Sequence, residues 1–120
     1  MLRASANVTN TEINLQGING DASAAAKGLP HGDALMRFAE AVATRDEDAL
    51  VQSRDELFNA AGNDVLVDAA GVAANFQRMV RIADSMGIPV DNMDTELGQE
   101  VRAELELERF ASAQNTLAAS

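Results

Sequence analysis

Asp68, Gly71, Asn75 and Arg78 follow one another at spacings of three and four, which lays them along one side of a helix, with Arg81, Asp84 and Ser85 close by. An arginine on such a face can grip a carboxylate through two parallel N–H bonds, because its planar guanidinium matches the two oxygens of the anion. Asn75 and Arg78 are therefore the first candidate ligand-binding residues, and a small carboxylic acid is the ligand class they suit. The same residues also fit a structural role. Arg81 can pair with Asp84 three positions on, Arg78 with a neighbouring helix, and Asn75 can bond across a helix contact. The structural role is the preferred reading.

His31, the only histidine, is the third candidate. It sits in GLPHGD, where Pro30 and Gly32 favour a turn, and one imidazole can act as a general base near neutral pH. No motif sets a serine or carboxylate beside it, so a solvated loop histidine is expected and no catalytic residue is assigned. Asp91, Asn92, Asp94 and Glu96 offer hard oxygen ligands, but they lack the spacing of an EF-hand loop, whose first, third and fifth ligands precede a glycine. Capping of the next helix accounts for them, and neither a metal nor a cofactor is expected.

Composition narrows the chemistry further. The chain has no cysteine, which removes disulfides, thiolate metal sites and every mechanism that needs a sulfur nucleophile. A net charge of −10, with 9 basic against 19 acidic residues, repels phosphate backbones and anionic lipid, and no basic stripe offsets it. Nucleic acid is not an expected partner. No apolar run approaches a membrane span and the first residues carry no apolar signal region, so a cytoplasmic location is expected. With 47% apolar residues but no Trp or Tyr and only 4 Phe, the core must be built from Ala, Val, Leu, Ile and Met.

The elements that position the candidates are helices. Residues 1–32, rich in Asn, Thr, Gly and Ser, read as an irregular arm, with a short strand conceivable in NVTNTEINLQG and two helical turns after Asp21. From Asp33, Leu35, Phe38, Ala39 and Val42 mark one helical face. Thr44 and Glu47 have the form of a capping box, Leu50, Leu57, Phe58 and Ala61 mark a second helix, and Gly62 ends it. A third and longest helix runs from Asn63 to Met86, where Gly87 and Pro89 stop it. Its apolar residues spread so widely round the circumference that burial on most sides is expected. The run AAGVAA predicts close approach of another helix, which would offset the ~1 kcal/mol that Gly71 costs relative to alanine. A fourth helix follows, buried through Leu97, Val101 and Leu105, with Phe110 tucked back onto the core and a fraying tail. The expected architecture is an all-α, four-helix, orthogonal or bundle-like domain over residues 33–120, with a long central helix.

The third helix also carries a resemblance. LVDAAGVAANFQRMVRIADSMGIPVD, from Leu66 to Asp91, is similar to the closing long helix of the alkylhydroperoxidase D-like, carboxymuconolactone decarboxylase superfamily. The likeness lies in the small apolar run, Asn75-Phe76, Arg78, Ala83-Asp84 and Gly87-Ile88-Pro89. LMRFAEAVATRDEDALVQSRDEL, from Leu35 to Leu57, resembles the helix pair that precedes it in that family. The resemblance implies an all-helical fold and a tendency to form homo-oligomers through these helices. It does not bring the chemistry: the family's peroxidases use a Cys-x-x-Cys pair that this chain lacks, and His31 stands in no matching motif. The functional expectation is a noncatalytic helical protein acting by homo-oligomerisation or small-ligand binding. The alternative is a cysteine-independent decarboxylase, isomerase or hydrolase acting on a small carboxylic acid, with Arg78 holding the substrate.

Overall fold

The computed structural model describes residues 14–21, 23–24, 27, 29–90 and 95–117. Among them the regular elements are all helical. A 3-10 turn, Leu15–Asn19, precedes α1 (Gly32–Thr44), α2 (Glu47–Met86) and α3 (Glu96–Leu105), and a second 3-10 turn, Leu107–Arg109, leads to a short α4 (Ala113–Leu117). The all-α class, the long central helix and the irregular N-terminal region are those expected. Of the strand considered in NVTNTEINLQG, residues 7–13 lie outside the described residues and residues 15–17 belong to the 3-10 turn instead; Asp91, Asn92 and Asp94 also lie outside the described residues. The chain divides into two compact units, Met1–Asn75 and Phe76–Ser120, and the division falls inside α2.

In the first unit, α1 presents one apolar face, with Ala34, Phe38 and Ala41 buried along it. Its last residue, Thr44, donates its hydroxyl to the Glu40 carbonyl at 2.9 Å, and Arg45 turns the chain at φ 58°. The expected capping box on Thr44 is therefore not formed. Asp46 caps α2 instead, its Oδ1 accepting from the Ala49 N–H at 3.0 Å. A carboxylate directly before the first helical residue meets both the open N–H groups and the positive end of the macrodipole, which a hydroxyl two positions earlier does not. Phe38 and Ala34 then pack on Leu57, which is fully buried, and Leu35, Val42, Leu50, Ala61, Val65, Leu66 and Ala69 close around them. Burying a leucine this completely contributes about 2 kcal/mol. Phe58, expected on that face, is half exposed instead. Arg37 bridges Glu56 at 3.0 Å and Asp33 at 3.3 Å on the wet surface, where such pairs add little.

Gly62 interrupts α2 with φ 85° and ψ 177°, a backbone shape closed to side-chain-bearing residues. The break falls where the second helix is expected to end, and the two expected helices are the stretches 47–61 and 63–86 that meet across this kink in α2. Near the N-terminal turn, Asp21 Oδ1 accepts from the Ser23 N–H, the Ser23 hydroxyl and the Ala24 N–H at 2.9, 2.7 and 3.2 Å. The Ser23 hydroxyl first, and the Ala24 amide after it, hold the Asp21 carboxyl below its ordinary range.

The second unit begins within α2 and follows its end. Gly87, at φ 64°, donates to the Asp84 carbonyl at 3.2 Å and Ile88 to the Ala83 carbonyl at 3.1 Å, which closes the helix with a Schellman motif before Pro89. Thr95 caps α3, its hydroxyl oxygen accepting from the Gly98 N–H at 3.1 Å. Leu105 is buried and Val101 half-buried on the expected face, whereas Leu97 is 39% exposed. In ELELE the helix stops midway, because Glu106 takes the left-handed conformation at φ 51°. The described part of the tail, to Leu117, docks rather than frays: Thr116 is buried, and its hydroxyl oxygen accepts from the Val90 N–H at 2.9 Å. Phe110 is half exposed with the Arg109 guanidinium 4.8 Å above its ring, so it does not close the core.

Candidate functional site

Among the described residues, the apolar circumference of the 63–86 stretch is in large part uncovered. Val67, Val72, Phe76, Met79, Val80, Ile82 and Met86 are each more than half exposed. At Gly71 an added Cβ would meet nothing within 4 Å, so the close helix contact expected at AAGVAA is not made among the described residues either. The described residues do not supply the cover that the pattern calls for. Their buried apolar residues are mostly alanine and leucine, and the cluster around Leu57 engages α2 no further along than Ala69. The result is a helix whose sequence is that of a buried element and whose large apolar side chains stand exposed among the described residues. Among the described residues no helix is long and apolar enough to cross a membrane. In this stretch Asp68, Arg78, Arg81 and Asp84 interrupt the apolar surface, which marks it for a partly polar cover.

Asn75 and Arg78 lie on this exposed surface, one helical turn apart. Arg81 and Asp84 form no ion pair among the described residues, so the local pairing expected between them is not what occupies the face. His31 is exposed in the turn before α1, at φ 57°, and offers no side-chain cap to that helix. None of these three candidate residues lines a cavity described here. A hollow lies between α1 and the first stretch of α2, with Arg37, Asp46 and Glu56 among its walls. Among the described residues, no group of three or more His, Asp or Glu side chains is placed to hold a metal ion.

A concavity of about 280 Å3 does form inside the second unit. Val80, Ile88, Val90, Leu107 and Phe110 give it apolar walls, and Arg102, Asn115 and Thr116 put polar atoms on the lining. The Arg102 side chain is only 19% exposed and holds Glu108 at 3.3 Å. Sequence reasoning passed over Arg102, because an arginine between Glu100 and Glu104 reads as a solvated helix charge. The signal that marks it is its place opposite the tail, and the tail's docking through Thr116 leaves no trace in periodicity.

No protein-family model, characterised protein or solved structure matches this chain.

Proposed function

We propose that this is a noncatalytic helical protein that works as a homo-oligomer, with residues 63–86 of α2 forming the contact. The carrying observation is the run of large apolar side chains from Val67 to Met86 that stand more than half exposed on one helix. Contiguous apolar surface beyond a few hundred Å2 is rare on monomers and marks an interface, and a second copy is the partner that is always present. The net charge of −10 opposes association only weakly at physiological salt, where charges farther apart than ~8 Å are screened. The resemblance of the same stretch to the closing helix of the alkylhydroperoxidase D-like superfamily points the same way, since that likeness implies association through these helices. Sedimentation equilibrium on the full chain tests the reading: dimers or larger species are expected at micromolar concentration. Phe76→Ser should shift them toward monomer without loss of helix content by circular dichroism. A chain that stays monomeric to hundreds of micromolar overturns it.

A second reading has one observation in its favour, the half-buried Arg102 in the apolar hollow of the second unit. That geometry suits a small carboxylic acid with an apolar body, the guanidinium taking the carboxylate in place of Arg78. Titration with short-chain carboxylic acids, followed by amide shifts, should perturb Val90, Arg102 and Thr116 in the wild type and leave them unmoved in Arg102→Ala. Uniform silence at those amides removes this reading.

A further inference from the structure

The hollow of the second unit has charges of both signs on its lining. Arg102, in the last turn of α3, puts a guanidinium there, and Asp84, in the last turn of α2, puts a carboxylate there. Arg102 uses one of its several N–H donors on Glu108, which is itself largely exposed, and the rest of the fork remains for a ligand. The Asp84 carboxylate has no hydrogen-bond or ion-pair partner among the described residues. Its position calls for one. The last turn of α2 holds no basic residue, so the carboxylate adds to the negative end of the helix macrodipole. Pro89, four residues after Ser85, has no N–H with which to close the Ser85 carbonyl, which leaves that end more negative still. Between the two charges Val80, Ile88, Val90 and Phe110 wall the hollow and stand about half exposed. We propose that this hollow binds a small apolar α-amino acid as its zwitterion, with the carboxylate on Arg102, the ammonium on Asp84 and the side chain against the apolar wall. This rests on the reading of the hollow as a carboxylate site and names its ligand.

Charge balance selects the zwitterion. A simple carboxylic acid would bring a second anion into a lining that already holds Asp84, and a simple amine would bring a second cation beside Arg102. A neutral ligand with separated charges meets both groups with the opposite sign. Asn115 adds to the acceptor side: its Oδ1 lies 3.7 Å from where a Cβ on Gly87 would stand, which sets an amide at the end of α2 and on the same lining. The volume of about 280 Å3 falls just under the usual range for ligand pockets, roughly 300–1,000 Å3, and so suits a single amino acid better than a peptide.

The experiment compares three probes that share one carbon skeleton. L-leucine carries both charges, isocaproic acid lacks the ammonium and isoamylamine lacks the carboxylate. Each is titrated into the full chain at neutral pH and followed by the amide shifts of Asp84, Val90, Arg102 and Thr116. Leucine should bind about tenfold more tightly than either of the others. Asp84→Asn should erase its advantage over isocaproic acid, and Arg102→Ala should abolish binding of both, with helix content unchanged by circular dichroism. If isocaproic acid binds as tightly as leucine, the zwitterion is overturned while the carboxylate site stands. A leucine advantage that survives Asp84→Asn also overturns it, because the ammonium would then not be held by that carboxylate. Isoamylamine binding as tightly as leucine, or no shift with any probe, overturns the carboxylate site and the amino acid together.

Discussion

The two stretches of α2 on either side of Gly62 read alike as sequence and differ in what surrounds them. In residues 47–61, Leu57 is fully buried and Leu50 and Ala61 pack around it, because α1 supplies Phe38 and Ala34 as a facing surface. In residues 63–86 the apolar side chains are at least as numerous, yet beyond Ala69 the Leu57 cluster does not reach them, and Phe76 stands 60% exposed. Helix formation is decided locally, by propensity, caps and breakers, whereas burial requires a second surface. One stretch found that surface within the chain.

The contrast is broken most forcefully at Leu57. Leu57→Ala removes the centre of the small core and should cost about 2–5 kcal/mol of unfolding free energy, a large part of the stability of a chain this size. Phe76→Ser, chemically the more drastic change, should alter the stability of the monomer by no more than ~0.5 kcal/mol, because an exposed ring has little packing to lose. Urea denaturation at concentrations below dimer dissociation compares the two. If Phe76→Ser proved as damaging as Leu57→Ala, residues 63–86 would be packed within the chain and the distinction between the stretches would vanish.

Gly71 sharpens the comparison with a smaller effect of opposite sign. It lies in helical backbone with open space where a Cβ would go, so Gly71→Ala should stabilise the monomer by about 1 kcal/mol through helix propensity and unfolded-state entropy. The same denaturation series reads it, and a loss of stability would mean that some part of the chain presses against that glycine.

These expectations also show which parts of the fold were legible in the sequence. Gly62, Gly87 and Pro89 were readable because a backbone break is a property of the residue itself, and the face of Phe38, Leu50 and Leu57 because periodicity places side chains together. The cap on α2 went to Asp46 instead of Thr44, since competing acceptors two residues apart are separated by geometry that spacing does not encode. Of the candidate site, Asn75 and Arg78 were correctly placed on one helix face, but whether that face met water or another helix depended on the facing surface. Arg102 was missed for the same reason, its environment being set by the docking of Thr116 against Val90, distant in sequence.

The smallest expected effect concerns Asp21, which precedes both stretches in the sequence. Its carboxylate accepts from the Ser23 hydroxyl at 2.7 Å, and this bond, ahead of the Ala24 amide, stabilises the charged form and lowers the folded-state pKa below the ordinary 3.8. A carboxyl with a depressed folded pKa contributes stability that is fully present above the unfolded value and is lost as pH falls through the folded one. Asp21→Asn should therefore differ from wild type by a small constant amount at neutral pH, and the difference should shrink only in acid, below pH 3.8. The group is exposed, so solvent screening keeps the contribution slight. A carboxyl titration followed by NMR should place the Asp21 midpoint under 3.8 and move it upward in Ser23→Ala. A midpoint that does not respond to Ser23 would assign the depression to the backbone amides, and with it the local turn, not the serine side chain, would be what holds Asp21 in place.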